Sequence, residues 1–155
     1  MAASKDRLKQ ELVAAMKAHD ELRKSTVRMA LAAIANEEVA GKSARELSEA
    51  EEQAVLAREV SKRKDSAEAY TGGGRPELAE KELAEAAILA DFLPQQLTDD
   101  ELAAIVDEEV AAVASALGAA PTMRQMGQVM KGVTPRIAGR GDGKTAAALV
   151  KAALS

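Results

Sequence analysis

Cysteine and tryptophan are absent from this sequence of 155 residues, which has one histidine, one tyrosine and one phenylalanine. The lack of cysteine excludes disulfides, thiolate zinc sites and a cysteine nucleophile. Because a single histidine leaves almost no room for a metal site or histidine-based catalysis, we expect neither a metal nor a cofactor. A membrane-spanning helix needs about 18 consecutive apolar residues, and no apolar run in this sequence is nearly so long. No signal peptide precedes the first predicted helix. We therefore expect a soluble cytoplasmic protein without a membrane partner.

The composition that remains is typical of helical proteins. Hydrophobic residues make up 47% of the chain and aromatic residues only 1%, and alanine supplies much of the apolar content. Helices in such a chain must pack closely through small side chains, with leucine, valine, isoleucine and methionine filling the gaps. We predict an all-α fold with an N-terminal domain of about four helices in residues 1–93. A hinge at residues 94–97 and a three-helix domain in residues 98–155 complete the prediction.

Capping residues predict where the helices begin and end. Ser4 is expected to cap the first helix, and Gly41 to follow the end of the second. In a capping box, two side chains accept hydrogen bonds from amide groups that the first helical turn leaves unpaired. The sequence contains three such segments, Ser48–Glu51, Thr98–Glu101 and Thr122–Gln125.

Apolar spacing predicts the buried side chains of the last two helices. Phe92 is expected in the core near Pro94, and Pro135 is expected to break the helix that follows Thr122. The predicted buried stripes are Met123, Met126, Met130 and Val133 in that helix, and Leu149, Val150, Ala153 and Leu154 in the final helix.

One charged residue occupies a core-like position in the third predicted helix. Arg63 lies in a stripe of apolar residues, and Glu82 and Glu85 lie in the corresponding stripe of the fourth helix. We predict an ion pair across this helical hairpin. The alternative is that these side chains extend along the surface to reach water.

The charge of the chain is distributed unevenly. Residues 1–122 carry 15 basic and 24 acidic side chains, whereas residues 123–155 carry six basic side chains and Asp142 alone. The segment Met123–Lys144 also contains five of the ten glycines. A basic, glycine-rich segment indicates either an anionic partner or docking on an acidic part of the same chain.

The segment from Gly139 to Thr145 resembles a phosphate-binding loop but does not match one. The nucleotide-binding pattern needs four residues between its glycines, whereas Gly139 and Gly143 enclose three, and no strand precedes them. Free amide groups at the start of the last helix remain a candidate site for one phosphate, although Asp142 competes for them as a cap. The upstream basic residues are expected to form intrahelical ion pairs; they are Arg23, Lys24, Arg28, Arg58, Lys62, Arg63 and Lys64.

Three motifs resemble the GatB/YqeY family in its stand-alone YqeY form. They are Arg28–Glu38, Arg58–Leu97 and Met126–Lys131 continued by Gly139–Lys144 and Leu149–Val150. The resemblance implies two helical domains, the second similar to the tail of the B subunit of glutamine-dependent aspartyl/glutamyl-tRNA amidotransferase. That tail helps to hold the tRNA. The family is associated with carbon–nitrogen ligase activity that uses glutamine as the amido donor.

The resemblance implies that basic and glycine residues near the C-terminus contact tRNA. We expect no catalytic residues, because the catalytic part of the B subunit is absent and nothing here activates a carboxylate or hydrolyses glutamine. The expected tRNA-binding residues are Lys131, Arg136, Gly139, Arg140, Gly141, Gly143, Lys144 and Lys151.

Three hypotheses about function follow. The first is a tRNA-binding accessory protein with no catalysis of its own, acting through phosphate contacts and shape, with no DNA partner. The second is a protein-interaction module that docks on an amidotransferase or another translation component. The third is a component of a carbon–nitrogen ligase whose partner supplies the glutamine chemistry.

Overall fold

The computed structural model describes residues 4–155, and the prediction of an all-α fold is confirmed, since no strand occurs in that range. The chain forms two compact units, Met1–Pro94 and Gln95–Ser155. A short 3-10 helix, Met123–Gln125, precedes the sixth α-helix. The α-helices are α1 (Ser4–Lys17), α2 (Glu21–Glu38), α3 (Glu49–Gly72), α4 (Pro76–Ala90), α5 (Asp99–Leu117), α6 (Met126–Ile137) and α7 (Gly143–Leu154).

The core of the first unit lies among α1, α2, α3 and α4. The alanines Ala30 and Ala86 are buried there, which fits the expected close packing through small side chains. Phe92 is buried in the same core, as predicted. The other buried members are Leu8, Val27, Ile34, Leu47, Val55, Leu56, Val60 and Leu89.

The predicted ion pair in this unit is confirmed. Arg63 is 4% exposed, and its Nε donates a hydrogen bond of 3.2 Å to Oε2 of Glu85 across the α3–α4 hairpin. Its Nη1 also donates to the backbone oxygen and to Oε2 of Glu59, one turn earlier in α3. The charge of the guanidinium is therefore balanced inside the unit rather than in water.

The second unit has its own core, and the predicted stripe of α6 is shifted. Val129, Val133 and Ile137 are the buried residues of α6, at intervals of four. Met126 and Met130 are only partly buried at the border of the core, and Met123 is 43% exposed within the 3-10 helix. The short branched side chains face α5 and α7, and the long flexible methionines lie at the edge.

The buried stripe of α7 was also predicted only in part. Val150 and Leu154 are buried as expected, together with Ala146. Leu149 is only partly buried, and Ala153 is exposed. A spacing of four residues, as in α6, fits the α-helical period and places these three side chains on one face.

The three capping boxes are confirmed, although Thr122 opens the 3-10 helix rather than an α-helix. The prediction for Ser4 was wrong, because its hydroxyl is buried and has no hydrogen-bond partner among residues 4–155. Glu52 of α3 serves the start of α1 instead, accepting a 2.9 Å hydrogen bond from the Lys5 amide.

Two predicted helix ends also differ from the structure. Helix α2 ends at Glu38, with Val39 as its C-cap, so that it stops before Gly41. Pro135 lies inside the last turn of α6 rather than breaking it. A proline so close to the helix end removes only one backbone hydrogen bond of the final turn, which the helix tolerates.

Candidate nucleic-acid interface

Acidic and basic residues of the second unit lie on different helices. Helix α5 carries six acidic side chains and no basic one, whereas residues 123–155 carry six basic side chains and one acidic one. Four of the six basic residues lie on α6 and α7, Arg124 lies in the 3-10 helix, and Arg140 lies in the loop between α6 and α7. The acidic residues of α5 are Asp99, Asp100, Glu101, Asp107, Glu108 and Glu109.

Arg136 was predicted to bind tRNA, but it is not a free cation in the structure. Its Nη2 lies 2.6 Å from Oε2 of Glu108, and its Nη1 lies 2.9 Å from Oε1 of Glu109. The hydrogen bonds that Arg136 donates to Glu108 and then to Glu109 raise the pKa of Arg136 above its usual value. Two carboxylates of α5 thus neutralise the guanidinium, which is held against the acidic helix.

Gly132 makes room for one of these carboxylates. A Cβ atom at Gly132 would overlap the carboxylate of Glu109, whose Oε1 bonds to Arg136 one turn later. The absence of a side chain at Gly132 therefore lets Glu109 lie across α6. We did not predict a role for this glycine; its only sequence signal is its position four residues before an arginine in a helix.

The loop between α6 and α7 is bonded to residues 95–97, which the sequence assigned to a hinge. The Leu97 amide donates to the Arg140 carbonyl at 2.8 Å, and Nε of Arg140 donates to the Gln95 carbonyl at 3.2 Å. The Gln96 side chain donates to the Gly139 carbonyl at 3.0 Å. Part of the Arg140 guanidinium is thus used inside the unit, although the side chain is exposed.

The three glycines predicted to permit close approach of a ligand have different surroundings. Gly139 has φ 71°, so it supplies the left-handed turn of the loop. A Cβ at Gly141 would lie 3.3 Å from Cβ of Ile137 and 3.4 Å from Cδ1 of Leu97, so Gly141 faces the protein interior. Gly143, at the start of α7, is open, with nothing within 4 Å of an added Cβ.

Asp142 occupies the amide groups at the start of α7. It accepts hydrogen bonds from the amides of Lys144 at 3.4 Å and Thr145 at 3.2 Å, and from the Thr145 hydroxyl at 2.8 Å. Partial burial opposes the ionised form, but the bonds from Thr145 and Lys144 outweigh it and lower the pKa of Asp142. A phosphate at this helix end would have to displace the aspartate.

Three lysines are left as cations open to a ligand. Lys131 of α6 and Lys144 and Lys151 of α7 are exposed and form no ion pair with any residue in the range 4–155. Lys144 and Lys151 are two helical turns apart, about 10 Å along the axis. Arg124 of the 3-10 helix is likewise exposed and unpaired within the described part of the chain.

The upstream basic residues are mostly paired, and several of the pairs join different helices. Arg23 of α2 lies 2.7 Å from Glu11 of α1, and Arg58 of α3 lies 3.1 Å from Glu37 of α2. The intrahelical pairs that were expected include Lys24–Glu21 and Lys62–Glu59. These basic side chains are therefore bonded to carboxylates within the first unit, where they join or stabilise its helices.

A groove of about 500 Å³ is lined by residues of α2 and α3. Its lining includes the ion pairs Arg58–Glu37 and Lys62–Glu59, together with Ser61 and Asp65. Within residues 4–155, no cluster of three or more acidic, histidine or cysteine side chains is arranged for a metal ion. None of the helices in that range is both long and apolar enough to span a membrane.

Comparison with known proteins gives one family and a set of fungal relatives. The model of the family described as Yqey-like protein matches residues 5–154. The relatives are each named "Altered inheritance of mitochondria protein 41, mitochondrial". The Lachancea thermotolerans protein is 30% identical over 147 residues, which are 95% of this chain and 76% of that protein. The Kluyveromyces lactis protein is 41% identical over 85 residues, 55% of this chain and 45% of that protein.

The match to Saccharomyces cerevisiae proteins of the same name is 37% identity over 112 residues, 71% of this chain and 58% of the relative. This chain thus spans about half the length of several relatives. Their names also correct the expectation of a cytoplasmic protein, which was wrong because the relatives that match are named as mitochondrial. The match over residues 5–154 confirms the resemblance read from the three motifs, and the chain belongs to the YqeY-like protein family.

Proposed function

We propose that this protein is a tRNA-binding accessory protein without catalysis of its own. The observation that carries the proposal is the separation of charge in residues 95–155, where α6 and α7 present exposed, unpaired lysines and α5 carries the acids. The resemblance of this region to the tail of an amidotransferase B subunit supplies tRNA as the polyanion. Lys131, Lys144 and Lys151 are the proposed phosphate contacts, with Arg140 and the open Gly143 beside them.

The mode of binding follows from the residue types available. Residues 95–155 contain no aromatic side chain, so bases have no platform on which to stack. Lysine acts as a point charge towards phosphate, and contacts to phosphate oxygens carry no sequence information directly. We therefore propose recognition of the tRNA backbone and shape, with the chemistry left to another protein.

The test compares two sets of lysine substitutions at fixed salt. The variant K131A/K144A/K151A removes three proposed contacts, and K9A/K64A/K81A removes the same charge from exposed lysines of the first unit. We expect the first variant to bind tRNA roughly tenfold to a hundredfold more weakly than the wild type, and the control to change little. Equal effects of the two variants would exclude a specific role of Lys131, Lys144 and Lys151 in binding tRNA.

The acidic net charge of −4 favours a second candidate, a protein-interaction module that docks on an amidotransferase or another translation component. A partner that remains bound after nuclease treatment, together with no tRNA affinity of the isolated protein, would support it.

The third candidate, a component of a carbon–nitrogen ligase with glutamine as amido donor, requires glutamine consumption in the presence of tRNA and a partner protein.

A further inference from the structure

Arg136 lies on the same helix as Lys131, one of the proposed phosphate contacts, but is already bonded to two carboxylates. Its side chain is 40% exposed, so a ligand can reach it, and Glu108 and Glu109 hold its two terminal nitrogens. Carboxylate and phosphate oxygens compete for the same guanidinium donors. Ion pairs this exposed are weak, so a polyanion with several other contacts can displace them.

Gly132 leaves the space in which the Glu109 carboxylate lies when it bonds Arg136. The carboxylate lies where a Cβ at residue 132 would be, and the same carboxylate bonds Nη1 of Arg136 at 2.9 Å. Glu108 reaches Nη2 from the more exposed side, at 2.6 Å. The arrangement therefore combines an open space on α6, beside Gly132, with two adjacent carboxylates on α5. A single surface ion pair would need neither feature.

We propose that Glu108 and Glu109 mask Arg136, a latent phosphate-binding residue that a polyanion engages only by displacing them. The identity of the polyanion as tRNA rests on the proposed function, whereas the masking does not. Arg136 then binds the polyanion only when Lys131 and the lysines of α7 contact enough other phosphates of the same molecule. These contacts must offset the loss of the two ion pairs. Short or sparsely charged anions leave Arg136 bonded to α5.

The chain offers substitutions that unmask Arg136 with matched controls. In G132A the new methyl group meets the flexible end of Glu109, so that the carboxylate turns away while the net charge stays the same. G127A lies in the same helix, gains the same helix propensity and has nothing within 4 Å of the added Cβ. E108Q removes the other partner, and D107N removes an equal charge from the neighbouring exposed residue.

The experiment measures binding of inorganic polyphosphate and of tRNA across a salt series. G132A/E108Q is compared with G127A/D107N, which has the same net charge, and each is also made with R136Q. We expect G132A/E108Q to bind roughly three- to tenfold more tightly than its control, with a salt slope steeper by roughly 0.7 to 0.9 for one added phosphate contact. With R136Q the difference should disappear.

Equal polyphosphate binding by G132A/E108Q and G127A/D107N, including a failure of both to bind, would overturn the masking. A gain that persists with R136Q would do the same, because it would be a general effect of charge. The single variants G132A and G127A repeat the comparison if the double variants are unstable. If the wild type binds polyphosphate but not tRNA, the proposed function fails, and the polyphosphate comparison still decides the inference.

Discussion

Arg63 illustrates how a single charged side chain is accommodated in a helical core. Three donors of its guanidinium have oxygen or sulfur acceptors, from Glu85, Glu59 and Met29. Burial of Glu59 disfavours its ionised form, but hydrogen bonds from Arg63 and Lys62 outweigh burial and lower its pKa. The positive and negative charges of this cluster balance one another, so the loss of one side chain leaves a buried charge without its partner.

Removing the guanidinium should therefore destabilise the first unit strongly. We expect R63M to lower the free energy of unfolding by about 3 kcal/mol or more, because Glu85 is left buried without its partner. The double variant R63M/E85M should recover much of this loss, since both charges are then removed. Urea unfolding followed by circular dichroism measures the difference.

The matched control is R58M, which breaks the exposed pair between Arg58 of α3 and Glu37 of α2 in the same unit. That pair has side chains 62% and 43% exposed, so its loss should have only a small effect. If R63M were no more destabilising than R58M, the Arg63 cluster would contribute little to the stability of the core.

At the scale of the element, the start of α3 depends on a capping box reinforced by an ion pair. Ser48 and Glu51 exchange the two bonds of the box, and Arg45 donates to both oxygens of Glu51 at 3.0 and 2.7 Å. Hydrogen bonds from Arg45 and then Ser48 lower the pKa of Glu51 to about 2, from a usual 4.5. The helix start is thus stabilised by the ionised form of one glutamate.

This lowered pKa predicts how the stability depends on pH. A carboxyl whose pKa is lower in the folded state stabilises the fold above its unfolded pKa of about 4.5, and the contribution is lost as the pH falls towards 2. We expect the melting temperature of E51Q to lie below that of the wild type at pH 6, and the two to converge between pH 4.5 and 2.

Glu49 provides the control, because E49Q removes the same charge from the same helical turn at an exposed residue. Its difference from the wild type should be smaller and should not reproduce the convergence seen with E51Q. A constant gap between E51Q and the wild type from pH 6 down to pH 2 would contradict a role for the ionised Glu51.

At the scale of the molecule, the net charge conceals the property on which the proposed function depends. The chain has 21 basic and 25 acidic residues, so a uniform distribution would repel a polyanion. The second unit instead places its basic residues on α6, α7 and their flanking segments. Binding must therefore be local and electrostatic, and its strength must depend on the salt concentration.

A salt series on the wild-type protein tests this property directly. With three or four phosphate contacts, tRNA affinity should fall roughly twentyfold to a hundredfold between 50 and 200 mM monovalent salt. Duplex DNA of similar length should bind more weakly, because we expect recognition to depend on the shape of folded RNA. Salt-independent binding would favour contacts other than phosphates and would contradict phosphate binding by Lys131, Lys144 and Lys151.

Local sequence was sufficient for much of the fold. The three capping boxes predict real helix starts, and Gly118, with φ 69°, ends α5 as a left-handed cap. Such features depend on side chains and amides within about four residues of each other. The pairing of Arg63 was also predicted, because an arginine in one apolar stripe and a glutamate in the stripe of the next helix can meet across a hairpin.

Only the tertiary structure decided which of the predicted site residues are open to a ligand. The chain determined by itself that its C-terminal part is helical, basic and rich in glycine. The pairing of Arg136 with Glu108 and Glu109 joins residues 27 and 28 positions apart on two helices, and the inward orientation of Gly141 depends on Leu97. Such contacts depend on how α5 and α6 are rotated against each other, which no pattern within one helix specifies, because a helical period restricts only neighbours three or four residues apart.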